Sequence, residues 1–528
     1  MNKKCDVHEK MAWLLKLLSL GMLLSNCCAY KILVVVTLPG KSHGILGEGL
    51  VRHLINAGHE VTFVTSFPPK PKKNLKVVDV SENIEIMKGG LLNIQNMMEG
   101  NINLQSISIL LEVGLEVGKG TIKNPRFQNL LKDTSQTFDV IISEWVYTDL
   151  YAGLSAVYNC PYIWYSSLEP HWMVLRLIDE LTNPAYVSDS ASSNAPPFSF
   201  QERTEELFNQ IYGMFVQNYY IEPLENKYYD TYIVPHVRSR SRPVPSLTEL
   251  KYNASLMLGN SHASLGEATR LPQNYKPIGG HHIETDVKPL PENLKQLMDN
   301  AEHGVIYFSM GSNLRSEDLP EKLTSNILKI FGELKQTVLW KFERDLPNRP
   351  KNVHIVNWAP QQSILAHPKC LFFISHGGLL STTEAVHFGV PMITIPVMVD
   401  QFVNADRAVK KGFAIKVDLS YTMDVDIKRA IHEMLTESKY KAKAKEISLM
   451  YHDRPLTPGD ELVHWVEHVV RTRGAPHLRS PALMMPWYQK CYLDLLSLIL
   501  VALTVIIFII KTMYRMVFRK SDSDKKNK

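Results

Sequence analysis

The stretch Trp358–Gln401 concentrates side chains that can bind a charged, hydroxyl-rich ligand. Within it, Leu371–Ser375 is a short apolar run typical of a buried strand, and Leu379–Phe388 has the pattern of a helix. Between the two, His376 begins a tight turn that two glycines complete. A strand, a glycine turn and a helix direct backbone N–H groups and the positive end of the helix dipole at one point, which is a site for an anion. The sequence therefore predicts that the phosphates of a nucleotide bind at this turn.

His43 is the candidate general base in the first half of the chain. It follows the apolar strand Lys31–Thr37, so it lies at the carboxyl end of a strand, where open α/β sheets bind ligands. It also precedes a helix, whose positive end favours a neutral imidazole. Glu144 ends a later strand and Asp149 opens the next helix, so either carboxylate can orient the imidazole. The sequence leaves both open, together with the alternatives of a loop histidine without function and carboxylates that stabilise a helix start.

The elements that carry these residues have the pattern of parallel α/β sheets in both halves of the chain. Lys31–Thr37 and Glu60–Thr65 are apolar strands joined by a helical repeat, which is a β-α-β unit. Gly304–Met310 and Met392–Pro396 are strands of a second sheet. At 528 residues the chain is too long for one ordinary core, so we expect two domains. The glycines at 44, 47 and 49 do not form the Gly-x-Gly-x-x-Gly fingerprint, which disfavours a dinucleotide-dependent oxidoreductase.

The chain shows no convincing metal site and no disulfide framework. Asp424-Val425-Asp426 begins a helix, so capping explains the two carboxylates better than metal binding. Three of the six cysteines fall in the predicted signal segment and Cys491 lies near the predicted membrane edge. The remaining two, Cys160 and Cys370, are in different halves and are predicted to be buried free thiols.

Both ends of the chain have the pattern of targeting or membrane segments. Residues 1–29 combine a basic start, an apolar run interrupted by Lys16, and small residues before Ala29, which predicts a cleaved secretory signal, with an uncleaved anchor as the alternative. Leu495–Ile510 carries no charge and is preceded by aromatic residues, which predicts a transmembrane helix over residues 487–511. The basic tail 512–528 is then cytosolic and the body lumenal. The sequon at Asn253 is consistent with a lumenal glycoprotein.

The distribution of charge excludes a nucleic-acid-binding body. The formal charge is +5, and residues 511–528 account for it with seven Lys/Arg and two Asp. The rest of the chain is therefore neutral overall, whereas a nucleic-acid-binding protein needs a basic face on its folded part. The last four residues, Lys525-Lys526-Asn527-Lys528, resemble a dilysine retrieval signal and predict the endoplasmic reticulum membrane.

Aromatic residues recur at helical spacing between Glu169 and Arg242. They are Trp172, Phe208, Tyr212, Phe215, Tyr219 and Tyr220. Such residues either line an apolar cavity or form the core between helices, and we expect core for most of them.

These segments together resemble the UDP-glycosyltransferase family (the UDP-glucuronosyl- and UDP-glucosyltransferases), in its membrane-anchored animal branch and above all its insect members. The resemblance covers nearly the whole chain and rests on the signal, the loop of His43, the stretch Asn183–Val187, the signature Trp358–Gln401 and the anchor with its basic tail. It implies two facing Rossmann-like domains, the GT-B arrangement. The acceptor-binding domain would cover residues 30–283 and the UDP-sugar-binding domain 284–473, followed by a linker over 474–486.

The resemblance also implies roles for individual residues. The residues of the donor site would be Ser312, His376, Gly377, Gly378 and Ser381 for the diphosphate, Trp358 and Gln361 for the nucleoside, Glu384 for the ribose, and Asp400 and Gln401 for the sugar hydroxyls. His43 would be the general base. The family usually has an Asp at the position of Glu144, so the identity of the partner carboxylate stays open between Glu144 and Asp149.

The implied reaction is the inverting transfer of a hexose, glucose rather than glucuronate, from a UDP-sugar to a hydroxyl of a small lipophilic acceptor. The UDP-sugar is a substrate, so no cofactor is expected, and backbone N–H groups with His376 would stabilise the departing UDP without a metal. The alternative is a non-catalytic membrane protein that binds UDP-sugar and assembles with active relatives. Association with a second copy or with a relative is open in either case.

Overall fold

The structure, a computed structural model, describes residues 29–87, 93–100, 104–284 and 286–526, with the side chains of 517–526 excepted. The predicted signal segment therefore lies outside the described residues up to residue 28, as do its cysteines and the last two residues of the dilysine sequence. The chain divides into two compact units, one that ends at Leu478 and one that begins at Arg479. Each is described by itself below.

The first sheet has seven parallel strands among the described residues, in the order β3-β2-β1-β4-β5-β6-β7. The strands are β1 (Lys31–Val36), β2 (Glu60–Thr65), β3 (Leu75–Asp79), β4 (Val140–Glu144), β5 (Tyr162–Ser166), β6 (Leu256–Gly259) and β7 (Tyr275–Pro277). Strand β4 is buried along its whole length, as expected for a parallel sheet that is covered on both faces. The strand order reverses between β1 and β4, and ligands of open α/β sheets bind outside the carboxyl ends at such a switch point.

Helices connect and cover these strands. They are α1 (Lys41–Asn56), α2 (Ile84–Met87), α3 (Ile94–Met98), α4 (Ile107–Lys123), α5 (Pro125–Lys132), α6 (Leu154–Tyr158), α7 (Trp172–Leu175), α8 (Phe200–Val216), α9 (Glu222–Tyr232), α10 (Val234–Arg238) and α11 (Leu247–Lys251). A short π-helical segment, Gln217–Ile221, joins α8 to α9.

The second sheet has six parallel strands among the described residues, in the order β10-β9-β8-β11-β12-β13. The strands are β8 (Val305–Ser309), β9 (Thr337–Lys341), β10 (Val353–Val356), β11 (Cys370–Ser375), β12 (Met392–Thr394) and β13 (Ala414–Lys416). The helices of this half are α12 (Glu292–Asp299), α13 (Glu321–Gly332), α14 (Gln361–Leu365), α15 (Leu379–Phe388), α16 (Gln401–Lys410), α17 (Met423–Thr436) and α18 (Lys439–His452). Here the switch point lies between β8 and β11. Two parallel α/β sheets confirm the predicted fold class.

Helix α19 (Pro458–Arg471) follows the second sheet in the chain but packs on the first. Its apolar side chains Leu462, Val466 and Val469 belong to one buried cluster with Ile32 of β1 and Leu50 of α1. The chain thus returns to the first sheet before the first compact unit ends.

The expectation that the aromatic residues of α8 and its extension form core is wrong for most of them. Trp172 is buried, but the other five are exposed: Phe208, Tyr212, Phe215, Tyr219 and Tyr220. The reason is the orientation of α8, which turns Glu206, Gln210, Gly213 and Val216 inward.

The second compact unit contains a short helix, α20 (Trp487–Lys490), and a long one, α21 (Leu493–Lys526). Over Leu493–Met516 helix α21 is long and apolar enough to cross a membrane, and it is the one such helix among the described residues. The predicted span began at Trp487, whereas the structure interrupts the helix at Tyr492, whose φ of 55° is left-handed.

Candidate active site

His43 and Glu144 meet at the switch point of the first sheet. Strand β1 leads into α1, whose first turn carries His43, and β4 ends at Glu144. The Nδ1 atom of His43 lies 2.5 Å from Oε1 of Glu144, with side-chain exposures of 17% and 1%. Burial lowers the pKa of His43, but the charge and hydrogen bond of Glu144 and the charge of Asp400 outweigh it, so this pKa is raised above its ordinary value. The predicted effect of the helix dipole on this imidazole is thus not the dominant one.

Asp149 is placed in a different network. Its carboxylate accepts hydrogen bonds from Trp145 Nε1 at 2.8 Å and from Arg176 Nη2 at 3.0 Å, and it lies 3.3 Å from Lys251 Nζ. Burial raises the pKa of Asp149, but the two cations outweigh it and lower this pKa to about 2. Of the two carboxylates that the sequence left open, the structure brings Glu144 to His43 and commits Asp149 to a buried ion-pair network.

The glycine turn after β11 fixes the ring of His376. A Cβ atom on Gly311 would lie 2.5 Å from the His376 ring, and one on Gly378 would lie 2.6 Å from it, so both positions require the absence of a side chain. Gly377 has a φ of 77°, which glycine adopts at no steric cost. Burial and the charge of Lys341 lower the pKa of His376 to about 4. His376 is therefore neutral near pH 7 and offers an anion a hydrogen bond rather than a charge.

The N-terminus of α15 and a lysine make this turn suitable for a diphosphate. Helix α15 begins directly after Gly378, so the N–H groups of its first turn face the cavity entered by His376. Ser312 and Ser381 line the same cavity. So does Lys341, the last residue of β9, whose ammonium donates to Glu343 Oε1 at 2.8 Å and brings a positive charge to the cavity that His376 lacks. The sequence analysis missed Lys341, whose only signal is its position near the carboxyl end of the strand-like apolar run Thr337–Phe342.

Glu384 is an ionised carboxylate held by three side chains. Gln361 Nε2 donates to it at 2.6 Å, Gln362 Nε2 donates at 2.9 Å, and His282 Nε2 lies 3.5 Å away. Burial raises the pKa of Glu384, but these groups outweigh it and lower the pKa below its ordinary value. A buried, oriented carboxylate of this kind accepts hydrogen bonds from a vicinal diol such as ribose. Gln362 and His282 were not predicted, because neither stands out in the sequence.

Asp400 and Gln401 lie at the start of α16. Asn404 Nδ2 donates to Asp400 at 2.7 Å, and burial raises the pKa of the Asp400 carboxyl despite that bond and the nearby charge of His43. Gln401 Oε1 accepts from the backbone N–H of Val397 at 2.9 Å and of Met398 at 3.1 Å. These bonds hold the preceding turn, in which Val399 has a left-handed φ of 50° that is strained for a β-branched residue. The amide nitrogen of Gln401 remains available to a ligand.

Trp358 is the large aromatic side chain at the mouth of the site. It follows β10, lines the cavity, and is 57% exposed. An exposed indole face beside a polar pocket is suited to stack on a nucleobase.

Ten of the thirteen predicted site residues line one cavity of about 510 Å³, whereas Glu144, Asp149 and Gly377 do not. The predicted site residues that line it are His43, Ser312, Trp358, Gln361, His376, Gly378, Ser381, Glu384, Asp400 and Gln401. The cavity lies where the switch points of the two sheets meet, and Lys41 N donates to Asn313 Oδ1 across it at 3.2 Å. Among the residues described, no group of three or more His, Cys, Asp and Glu side chains is arranged to hold a metal ion.

Comparison with known proteins identifies the family. The model of the family described as "UDP-glucoronosyl and UDP-glucosyl transferase" matches residues 31–528. The chain belongs to the UDP-glycosyltransferase family. It is 31% identical to UDP-glucosyltransferase 2 of Dactylopius coccus, covering 94% of this chain and 95% of that one. It is 28% identical to human UDP-glucuronosyltransferase 2B7, covering 90% and 91%.

Solved glycosyltransferase structures share the fold. The calicheamicin glycosyltransferase CalG4 superposes with a TM-score of 0.57 at 16% identity, covering 85% of this chain and 100% of that one. The two facing parallel sheets are thus the GT-B arrangement, as predicted. A UDP-glycosyltransferase of this type uses the UDP-sugar itself as the donor and needs no cofactor. The chain is an enzyme of glycosyl transfer.

Proposed function

We propose that the protein transfers glucose from UDP-glucose to a hydroxyl of a small lipophilic acceptor, with inversion at the anomeric carbon. The observation that carries this proposal is the His43–Glu144 contact of 2.5 Å in the cavity that the donor-site residues line. A base in contact with a carboxylate, placed opposite a nucleotide-binding turn, is the arrangement that a single displacement requires.

The proton path follows from the geometry of the imidazole. Because Nδ1 of His43 faces Glu144, Nε2 is the atom left to face an acceptor. It removes the proton of the acceptor hydroxyl as that oxygen forms a bond to the anomeric carbon and the bond from this carbon to UDP breaks. Glu144 stabilises the imidazolium that results. The negative charge on the departing UDP is stabilised by the N–H groups at the start of α15, by His376 and by Lys341.

In this proposal, different residues of the donor site bind different parts of the UDP-sugar. Trp358 stacks on the uracil, with Gln361 on the nucleoside side, and Glu384 accepts from the ribose hydroxyls. Asp400 and Gln401 bind hydroxyls of the sugar. The remaining donor-site residues, Ser312, His376, Gly377, Gly378 and Ser381, surround the diphosphate. What supports this division is that these groups, apart from Gly377, line one cavity, and that the charge of Asp400 acts on His43, which places the sugar end of the donor near the base.

The acceptor part of the cavity is apolar. Its lining includes Leu104, Leu110, Val113, Trp145 and Val399. Such a wall favours a small lipophilic compound with one hydroxyl near His43. The choice of glucose over glucuronate is supported by the name of the Dactylopius coccus relative, a UDP-glucosyltransferase.

We place the protein in the endoplasmic reticulum membrane, with a lumenal body and a cytosolic tail. Helix α21 over Leu493–Met516 supports a single membrane span. The lysines and arginines that follow it support the orientation, because cytosolic flanks carry the excess of positive charge.

Replacement of His43 by alanine tests the proposal. Membranes that contain the wild-type protein, given UDP-sugars one at a time with a simple lipophilic phenol, should form the glucoside. His43→Ala should abolish product while UDP affinity changes less than about twofold, because the nucleotide lies on the other sheet. His303→Ala, an exposed histidine, is the matched control and should retain full activity.

Two results would contradict the proposal. Equal loss of UDP binding and of transfer in His43→Ala would overturn the division between base and donor site. Absence of product from every UDP-sugar in the wild type, with UDP binding intact, would favour the non-catalytic membrane partner instead.

A further inference from the structure

The turn that joins β12 to α16 holds a valine in a backbone conformation that valine disfavours. Val399 has a φ of 50°, in the left-handed region, where a β-branched side chain is crowded by its own backbone. Glycine adopts this conformation at no steric cost, and asparagine tolerates it better than valine. A residue stays in such a conformation only where the surrounding structure determines it, and residues of this kind cluster at functional sites. The valine side chain at this position therefore calls for a functional explanation.

Contacts with both halves of the protein fix this turn. Gln401 Oε1 accepts from the backbone N–H groups of Val397 and Met398 at 2.9 and 3.1 Å, and the side chain of Met398 packs against the buried cluster of the second sheet. The next side chain, that of Val399, packs instead against the buried apolar cluster of the first half. Neighbouring residues of one turn thus contact the cores of different halves.

Val399 brings an apolar side chain from the second half to the acceptor part of the cavity. The other residues named above in that apolar wall, from Leu104 to Trp145, belong to the first half, and Val399 lines the same cavity. It directly precedes Asp400, whose charge raises the pKa of His43. This part of the wall therefore lies at the reacting end of the cavity, between the donor residues and the base.

We propose that Val399 restricts the acceptor to compounds whose reacting hydroxyl is unhindered, with no bulky group on the neighbouring carbon. The acceptor hydroxyl must reach His43 while the sugar lies against Asp400, so the atoms next to that hydroxyl pass closest to residue 399. The two γ-methyl groups of valine occupy space there that glycine would leave open, and close-packed walls do not yield to an added branch. A phenol without ortho substituents or a primary alcohol fits this end of the cavity.

The restriction rests on the proposed function, because it uses the roles assigned there to His43 and Asp400. It also explains why a strained valine is tolerated in this turn. A glycine would relieve the backbone strain but would remove the side chain that closes the wall beside the reacting atoms. The strain is then the energetic cost of selectivity for the acceptor.

A pair of isomeric phenols tests the restriction. The isomers para-tert-butylphenol and ortho-tert-butylphenol contain the same atoms, and the second carries its bulk beside the hydroxyl. Val399→Gly removes the side chain, whereas Val399→Asn keeps one of similar size in a residue that tolerates a left-handed φ. Val244→Gly makes the same chemical change in a loop where the valine is 40% exposed, and it is the matched control. Comparing the para-to-ortho ratio between variants cancels differences in intrinsic reactivity and in partition into the membrane.

The ratio of kcat/KM for the two isomers, measured on the full chain in membranes with saturating UDP-glucose, gives the result. The wild type and Val244→Gly should strongly prefer the para isomer. Val399→Gly should reduce this preference by about tenfold or more, because the overpacking against the ortho group is relieved. Val399→Asn should retain the preference. An unchanged preference in Val399→Gly would overturn the restriction, and an equal loss in Val399→Asn would overturn it in favour of an effect of the backbone turn.

Equilibrium binding of the same phenols to the detergent-solubilised full chain in the presence of UDP separates this restriction from the proposed function. Dialysis measures the para-to-ortho ratio of affinities without turnover, and unchanged UDP affinity verifies that each variant is folded. A para preference in binding that is lost in Val399→Gly, without glycoside from any UDP-sugar, would contradict the proposed function and support the restriction. Equal binding of both isomers by the wild type would overturn the restriction whether or not product forms.

Discussion

Among the neighbours of His43, Glu144 has the largest effect on its charge state. We expect Glu144→Gln to lower the pKa of His43, because the carboxylate that raises it is removed while burial, which lowers it, remains. His43 must be deprotonated to act as a base, so the acid limb of kcat/KM should move to lower pH. The rate on the plateau should fall by about a hundredfold, because the imidazolium loses its stabilising charge.

A pH profile of both proteins measures this effect. UDP affinity, determined separately, is the control and should not change. An acid limb at the wild-type position in Glu144→Gln would show that the limb reports a group other than His43.

We expect Asp149 to affect the stability of the protein rather than the proton transfer by His43. Removing its charge in Asp149→Asn leaves the largely buried guanidinium of Arg176 without its anion, although Lys251 keeps Glu222 at 3.1 Å, and we expect a cost of about 3–5 kcal/mol of unfolding free energy. The wild-type contribution also has a defined pH window. The pKa of Asp149 is about 2 in the folded protein against an ordinary 3.8, so this stability is present above pH 3.8 and is lost as the pH falls towards 2.

Thermal unfolding between pH 2 and pH 7 measures the Asp149 contribution. Asp299→Asn, an exposed carboxylate that pairs with Lys295 and His367, is the control and should lower the melting temperature much less than Asp149→Asn. An Asp149→Asn protein with normal stability and no turnover would instead assign Asp149 to the chemistry.

At the scale of elements, helix α4 packs closely against the backbone of the loop that follows β4. A Cβ atom on Gly114 would lie 2.5 Å from the carbonyl oxygens of Val146 and Tyr147. Tyr147 has a left-handed φ of 54°, and the backbone of α4 at Gly114 packs directly against this strained turn. Gly114→Ala should displace the loop, cost about 1–3 kcal/mol and raise KM for the acceptor several-fold, because both loop residues line the cavity.

Comparison with a glycine one turn further along α4 isolates this effect. In Gly118→Ala the new Cβ would meet side-chain atoms of Leu150 at 3.0 Å and Thr148 at 3.1 Å, which can adjust. Steady-state kinetics with varied acceptor should show a smaller change in that variant. An unchanged KM in Gly114→Ala would mean that this loop does not contact the acceptor.

Individual elements show which parts of the fold and of the site could be predicted from the sequence. The glycine turn with its strand and helix was predictable because the residue types at a helix N-terminus report its geometry directly, and α15 has the predicted bounds Leu379–Phe388. Strand β3 was missed because it is an edge strand in which Val78 alone is fully buried. The choice between Glu144 and Asp149 required the pairing of β1 with β4, which sets Val35 beside Ser143. Periodicity identifies an apolar side of α8 but not whether that side faces the core or the solvent, so the exposure of its aromatic residues was not predictable.

At the scale of the whole first unit, the site exists only because two sheets hold their switch points together. Helix α18 and the segment that follows β7 contribute to holding the two sheets together, because the hydroxyl of Tyr451 donates to the carbonyl of Gly279 at 3.1 Å. Arg52 of α1 donates to the carbonyls of His281 and Ile283 at 2.9 and 3.2 Å, so the helix that carries His43 is bonded to the segment that leads into the second sheet. His282, in the same segment, reaches Glu384. His43 and Glu384, to which we assign the roles of base and ribose-binding carboxylate, are thus both positioned by contacts with this one segment.

Helix α19 is also part of this arrangement, so we expect weaker packing of α19 to destabilise both sheets of the first compact unit. Leu462 is fully buried against the helix layer of the first sheet, so Leu462→Ala should cost about 2–5 kcal/mol. If α19 is part of the cooperative structure, amide hydrogen exchange should accelerate in β1 and in β8 together, because opening requires global unfolding. His464→Ala, an exposed position on the same helix, should leave exchange unchanged. Faster exchange confined to α19 would show local fraying instead, and contacts other than those of α19 would then hold the two sheets together.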